Sequence, residues 1–322
     1  MRVLVTGGAG FIGSHLSERL LRDGHQVVIL DQLNHYYSPA LKLWNLDEVR
    51  KCGPVTFVQG DICDLRAVTN LMSTQKIEAV AHLAALVGVG PSLEQPVEYQ
   101  NVNVGGTTAL LEAARISGIE KFVFASSSSV YGETKNTPFR EDDTGTFPIS
   151  PYGATKLAAE RMCYVYAYLY KLPVICLRLF TVYGPRQRPD LALCKFVRLM
   201  ESEMTIPVHG DGSTCRDYTF CGDITKGIVA ALQFQTQFDV FNLGSSRPIA
   251  LADMIRTLES ILGRRAKIDW LPEKPGDLRM THADIAKAER LLGYRSATPF
   301  DEGARQLVAW FRDQYSTSGL SQ

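Results

Sequence analysis

The 322-residue chain carries no net charge: Lys and Arg together number 34, as do Asp and Glu. A balanced surface gives no reason to expect nucleic acid or an anionic membrane as a partner. Cysteine occurs seven times, an odd number, at Cys52, Cys63, Cys163, Cys176, Cys194, Cys215 and Cys221, and no pair sits two residues apart. That spacing argues against a zinc site or a disulfide framework, and the expectation is a reducing, cytoplasmic setting. Long apolar runs are also missing. The longest, near Ala79–Val89, contains His82 and a glycine and is too short to span a bilayer. The first residues read directly as a strand, with no secretory leader pattern before it. Neither an internal repeat nor a low-complexity tract interrupts the chain.

What is present is the composition of an ordinary globular enzyme, 45% hydrophobic and 21% charged. Short β-branched runs alternate with helical patterns. Strands are expected at Val3–Thr6, Gln26–Leu30, Val55–Gln59, Ala79–Leu83, Lys121–Ala125 and Val174–Leu179. Helices are expected near 12–23, 67–73, 104–117 and 152–170. Nearly continuous apolar strands separated by helices predict a parallel sheet covered on both faces, a Rossmann-type doubly wound α/β fold. After Gly184 prolines punctuate loops around a helix near 193–202. A helix–strand piece at 224–234 and 240–243 should return to the main sheet. From Pro248 onward short helices and charged loops are expected. The chain therefore divides into a dinucleotide-binding domain of residues 1–180 plus about 219–245, and a smaller C-terminal substrate-binding lobe of residues 181–218 and 246–322.

Thr6-Gly7-Gly8-Ala9-Gly10-Phe11-Ile12-Gly13 follows the first strand and opens the first helix. Glycines there permit a tight turn and let backbone N–H groups approach a pyrophosphate at the positive end of the helix. Gly7, Gly10, Phe11, Ile12 and Gly13 are thus candidate cofactor residues. Asp31 ends the second strand. A carboxylate there accepts both hydroxyls of an adenosine ribose and repels the extra phosphate of NADP, so NAD is the expected cofactor. Asp61 and Ile62 follow the third strand and suit the adenine. Leu83, Ala84 and Ala85 follow the fourth, where small residues let a cofactor lie against backbone. His82 reads as a packed, satisfied histidine without chemistry.

Tyr152 and Lys156 lie four apart at the start of a helix for which Ser150 suits the N-cap and Pro151 the first turn. A free tyrosine titrates near ~10 and is a weak base at neutral pH. A neighbouring lysine and a positive nicotinamide ring both favour its phenolate, which makes Tyr152 a usable general base. Ser127 ends a strand where its hydroxyl can hold the same substrate oxygen.

These elements together resemble the extended short-chain dehydrogenase/reductase family along nearly the whole chain. The resemblance rests on Thr6–Gly13, Asp31, Asp61-Ile62, His82–Ala85, Asn103, Ser126–Gly132, Tyr152 with Lys156, and Arg216-Asp217. It implies that Ser127, Tyr152 and Lys156 are catalytic, that Asn34 and Asn103 support the cofactor site, and that a homodimer forms through the helices near 104–117 and 152–170. Family members that decarboxylate or dehydrate nucleotide sugars usually carry an acid before Val-Tyr-Gly. Here Ser127-Ser128-Ser129 stands in that place, and the simplest remaining chemistry is oxidation and re-reduction at one carbon, an epimerisation.

Thr181-Val182-Tyr183-Gly184-Pro185-Arg186-Gln187-Arg188-Pro189-Asp190 resembles the motif of UDP-glucuronic acid 4-epimerases. By that resemblance Ser128, Ser129 and Thr181 meet the sugar, Arg188 and Arg216 the diphosphate, and His209 the uracil. Lys274 and Asp277 would close over phosphate and ribose. Gly88-Val89-Gly90 lacks the arginine of many uronate-handling relatives and looks locally like UDP-galactose 4-epimerases. Thr281 stands where those enzymes often carry a bulkier residue. The leading expectation is NAD-dependent 4-epimerisation of UDP-glucuronate and UDP-galacturonate. A UDP-glucose/UDP-galactose 4-epimerase, a CDP-sugar 2-epimerase and a non-catalytic NAD-sensing scaffold stay open beside it.

Overall fold

A computed structural model describes residues 1–133, 136–143, 146–273 and 278–318. Its centre is a seven-stranded sheet built from β1 (Arg2–Thr6), β2 (Gln26–Asp31), β3 (Val55–Gln59), β4 (Ala79–His82), β5 (Lys121–Ser127), β6 (Val174–Leu179) and, after β7 (Thr181–Tyr183), β8 (Ile206–His209) and β9 (Cys215–Phe220), the returning strand β10 (Phe238–Leu243). The order across the sheet is β10-β6-β5-β4-β1-β2-β3. Every pairing in it is parallel. The Rossmann-type expectation is met, including the late strand joining β6.

Alternate side chains of each strand leave the sheet on opposite faces, and both faces are buried. Val3, Val5, Ile29, Ile175 and Leu177 pack with Leu16, Leu20, Ile224 and Ile228, from helices Phe11–Arg22 and Cys221–Gln233. Leu4, Val28, Val80, Phe122 and Cys176 pack on the other side with Met72, Leu110, Leu111 and Cys163. Those partners come from helices Leu65–Thr74, Thr107–Ile116 and Pro151–Tyr170. Asp64 caps the first of these by accepting from the Ala67 N–H at 2.9 Å. The predicted helix at 104–117 is interrupted: residues Gln100–Gly106 form a wider turn with i→i+5 spacing before the α-helix starts.

The remaining strands form small sheets. β9 lies between β7 and β11 (Pro248–Ala250), and β8 pairs with β12 (Ile268–Leu271). The region after Pro248 is more helical than expected. Leu251–Leu262 and Phe300–Ser318 are long helices. They persist because Met254, Ile255, Leu258 and Leu262 meet Leu307, Val308 and Phe311 in a third apolar cluster. No helix among the described residues is long and apolar enough to cross a membrane.

Candidate active site

The strand order reverses between β1 and β4, and a cleft of about 710 Å³ opens at the carboxyl ends of the strands there. Open parallel sheets place ligands at this point, and the volume is that of a small-molecule site. Thr6 sets the geometry. Its register partner is His82, and its carbonyl and hydroxyl accept from the Leu83 and Ala84 N–H groups, each at 3.2 Å. His82 is fully buried between the hydroxyls of Thr6 (2.7 Å) and Thr107 (3.0 Å). Burial, with a smaller contribution from the Lys156 charge, pushes its pKa down to about 3. It is a neutral packing residue, as the sequence suggests.

The glycine turn is shaped for close approach. Gly7 adopts φ +69°, and a Cβ there would sit 2.8 Å from the Ala84 nitrogen; one on Gly13 would meet the Gly7 carbonyl at 2.2 Å. Helix Phe11–Arg22 begins at Gly10 with no side-chain cap. Its first-turn N–H groups thus open toward the cleft, which Gly7, Gly10, Phe11, Ile12 and Gly13 line. Asp31 accepts from the Ala9 N–H at 3.1 Å and the Leu33 N–H at 2.9 Å, which fixes its carboxylate at the rim. Asn34, Asp61, Ile62, Leu83, Ala84 and Ala85 complete this end. A bare helix terminus, a glycine cradle and a fixed acid fit a dinucleotide with free ribose hydroxyls.

At the other end stand Ser127, Ser128, Ser129, Tyr152, Lys156, Thr181 and Arg188. Ser150 caps the helix that carries Tyr152, accepting from the Gly153 N–H at 3.2 Å, with Pro151 in the first turn. Tyr152 packs edge-on against Tyr99, ring centroids 6.3 Å apart. Burial raises its pKa, while hydrogen bonding with Ser127 and the Arg188 charge pull it down. Lys156 donates to the Ala125 carbonyl at 2.8 Å and lies over the Phe124 ring. Burial lowers its pKa to about 8, partly opposed by Cys163 and Glu160.

Behind this centre is a buried ion pair. Arg178 on β6 donates to Glu160 at 3.0 and 2.9 Å, and Ser126 donates to the same carboxylate at 2.6 Å. Glu160 lies one helical turn beyond Lys156, so the ion pair ties the helix Pro151–Tyr170 to β6, and the Ser126 bond ties it to the end of β5 that bears Ser127.

Asn103 does not line the cleft. It brackets the Leu86 backbone, accepting at 2.8 Å and donating at 2.9 Å, and donates to Thr155 at 3.1 Å. It therefore braces the loop after β4 against the helix Pro151–Tyr170. His209 and Arg216 also lie outside the cleft wall. His209 ends β8 and is bonded to the Pro272 carbonyl at 2.8 Å. Arg216 lies in β9 and donates to the Cys215 carbonyl at 2.9 Å. The adjacent Asp217 is fully buried and accepts from Ser245, Ser246 and Ala283, which organises the loops around β9. Thr281 is buried, its hydroxyl accepting from the Asp217 N–H. Lys274 and Asp277 lie outside the described residues. Unforeseen in the sequence are Tyr36, Tyr37 and Lys42, which line the cleft from the loop and helix after β2. Lys42 donates to the Asn34 carbonyl at 2.8 Å and side-chain oxygen at 2.6 Å.

A parallel sheet with a glycine-lined switch point and a Ser–Tyr–Lys cluster at its mouth defines an extended short-chain dehydrogenase/reductase. Residues 4–307 match the family described as GDP-mannose 4,6 dehydratase, and the chain belongs to that family. It is 40% identical over 311 residues to the UDP-glucuronate 4-epimerase of Thermodesulfobacterium geofontis, covering 96% of each chain. Among solved structures it resembles the UDP-glucuronic acid 4-epimerase from Bacillus cereus in complex with UDP-glucuronic acid and NAD, with TM-score 0.92, 36% identity, and 98% of this chain and 100% of that one covered. The UDP-glucose 4-epimerase of Thermotoga maritima with UDP-glucose is also similar, with TM-score 0.91, 31% identity, and coverage of 98% and 99%.

Proposed function

We propose that this protein is an NAD-dependent UDP-sugar 4-epimerase whose substrate pair is UDP-glucuronate and UDP-galacturonate. The observation that carries the reading is the gathering of Ser127, Tyr152, Lys156, Thr181 and Arg188 around one end of a cleft whose other end is a dinucleotide cradle. When bound there, NAD supplies a reversible two-electron acceptor and a positive ring beside the phenol. Tyr152 takes the proton of the 4-hydroxyl as the sugar is oxidised, and returns it after the 4-keto sugar has presented its other face. Ser127 holds the same oxygen, and the Lys156 ammonium stabilises the phenolate. Ser127-Ser128-Ser129 stands before Val130-Tyr131-Gly132, where dehydrating relatives carry an acid, and this favours epimerisation over elimination.

The sequence points Arg188 at the diphosphate. Its place in the cleft supports a second role. It lies near enough to influence the Tyr152 phenol electrostatically, which suits a guanidinium facing the sugar carboxylate. Gly90 offers no positive charge, and a Cβ there would meet only open space. Arg188 can supply the charge instead, with Thr181, Ser127 and Ser129 as further donors. The same Gly90 favours a second reading, a neutral UDP-glucose/UDP-galactose 4-epimerase.

In this reading residues 1–180 with about 219–245 hold the cofactor, and residues 181–218 and 246–322 hold the nucleotide sugar. Arg216 and His209 serve diphosphate and uracil, Lys274 and Asp277 close the site, and Asn34 and Asn103 support NAD. Homodimer formation through the helices at 107–116 and 151–170 is supported by exposed Ile116, Tyr164, Val165, Tyr168 and Leu169. Seven free thiols suit a reducing cytoplasm.

The test is turnover of UDP-glucuronate, UDP-galacturonate, UDP-glucose, UDP-galactose and a CDP-sugar, with products identified by NMR. The uronates are expected to interconvert fastest, and Thr181→Ala should depress uronate kcat/KM far more than neutral-sugar kcat/KM. Higher wild-type efficiency on UDP-glucose would establish the neutral-sugar reading instead.

A further inference from the structure

We propose that Tyr36 is a positioning residue for Arg188: its ring carries the guanidinium in the orientation that presents a free N–H edge to a sugar carboxylate, so discrimination between acidic and neutral UDP-sugars depends on that ring. The inference rests on the uronate reading above and names the residue that makes it work. The guanidinium carbon of Arg188 lies 5.2 Å from the centre of the Tyr36 ring, within the range at which a cation is held by an aromatic face.

Both partners are fixed from behind. The Tyr36 hydroxyl donates to the Val87 carbonyl at 3.0 Å, and the Tyr99 hydroxyl donates to the same oxygen at 2.7 Å. Tyr99 also packs on Tyr152, so one carbonyl joins the platform to the catalytic ring. On the other side, the segment bearing Arg188 is held by Gln187, which donates from its backbone to Gly184 at 3.2 Å and from its side chain to Val182 at 3.1 Å. The preceding Arg186 is ion-paired to Glu18.

Asp190 completes the cradle. It accepts from Nε and Nη2 of Arg188 at 2.9 and 2.8 Å. A guanidinium has five N–H donors in a rigid plane, and Asp190 occupies the lateral edge. The end-on edge, formed by Nη1 and the second hydrogen of Nη2, makes no hydrogen bond among the described residues. Tyr36, Tyr152, Thr181 and Arg188 line the same cleft. A planar edge of two parallel donors is the shape that takes a carboxylate in bidentate fashion. Without the ring beneath it, the long arginine side chain keeps its charge and its Asp190 partner but loses the surface that sets its plane.

The experiment measures Kd and kcat/KM of the NAD-loaded protein for UDP-glucuronate and UDP-glucose, with UDP alone as a binding control. The variants are Tyr36→Phe, which keeps the ring, and Tyr36→Leu and Tyr36→Met, which remove it; Met keeps more of the bulk should Leu fold poorly. Tyr36→Leu and Tyr36→Met are expected to weaken UDP-glucuronate about tenfold while UDP-glucose and UDP change less than about twofold. Tyr36→Phe should stay within about threefold of wild type on all three. Equal losses on both sugars, no loss on either, or a Phe variant as impaired as Leu would overturn the proposal. A wild type that prefers UDP-glucose overturns the uronate reading and this proposal with it. A wild type that prefers the uronate, with a Tyr36→Leu variant that keeps the preference, overturns the proposal alone.

Discussion

Replacing Tyr152 by phenylalanine removes one oxygen from the centre of the cleft and leaves the ring that packs on Tyr99 at 6.3 Å. The structure lets the consequences be separated. The lost hydroxyl shares the cleft wall with Ser127, and even a full hydrogen bond between the two would contribute only about 0.5–1.5 kcal/mol to stability. Such a loss shifts Tm by only roughly 1–2 °C in a chain of this length. Neither neighbour replaces the lost base: Lys156 donates to the Ala125 carbonyl at 2.8 Å, and a serine hydroxyl such as that of Ser127 is too weak a base alone. Loss of a general base costs about 10²–10⁴ in rate, or roughly 3–5 kcal/mol of barrier. Sugar-nucleotide affinity should stay within a few-fold, because in the proposed reading other residues hold the diphosphate and base. Interconversion of UDP-glucuronate and UDP-galacturonate followed by NMR gives the rate, and calorimetric titration of the NAD-loaded variant gives the affinity. A variant retaining more than about a tenth of wild-type turnover, or one whose affinity falls in step with its rate, would refute the assignment of Tyr152 as base.

Asp31→Ala removes the carboxylate fixed by the Ala9 and Leu33 N–H groups. The preference for NAD over NADP should fall at least about tenfold, read from nucleotide binding, since hydrogen bonds to a charged group contribute about 1.5–3 kcal/mol each; an unchanged preference counts against the ribose role. Lys156 titrates at about 8 in the folded protein and near ~10.4 when unfolded. Below pH 8 both states keep the proton; between roughly 8 and 10 the folded state has released it and the unfolded state has not, so this residue raises stability with pH. In nucleotide-stripped protein, Lys156→Met should remove that part of the Tm rise, and parallel wild-type and variant curves would contradict it. Glu160→Gln leaves the buried Arg178 charge without its counter-ion and should cost about 3–5 kcal/mol in denaturant unfolding; a loss under about 1 kcal/mol would show the pair to be dispensable.

Much of the sheet was legible because a strand buried on both faces must be apolar throughout, and Val3–Thr6 or Val174–Leu179 has no other good reading. The glycine turn was legible for the same kind of reason: Gly7 and Gly13 have no room for a Cβ. Tyr36, Lys42 and Tyr99 were not, since nothing local marks them. Tyr36 reaches the cleft only because its hydroxyl finds a carbonyl 51 positions further along the chain. The wide turn at Gln100–Gly106 was equally hidden, because its apolar spacing is close to that of an ordinary helix. Leu251–Leu262 and Phe300–Ser318 were underestimated because each is amphipathic, and the partner that completes its apolar face lies far away in sequence.

The route of the chain through the sheet has a consequence for synthesis. β6 is complete at Leu179, but its outer neighbour β10 does not begin until Phe238, after β7, β8 and β9 have been made. Until then Val-Ile-Cys-Leu-Arg-Leu is the open margin of a parallel sheet, with its outer peptide groups unpaired and every side chain but Arg178 apolar. Such a margin is a template for foreign strands, and long-range parallel pairing is slow to form. A chain that pairs its first strands during synthesis would pass through an interval in which the half-built sheet is sticky along one side. The helix Cys221–Gln233 and then β10 end that interval together.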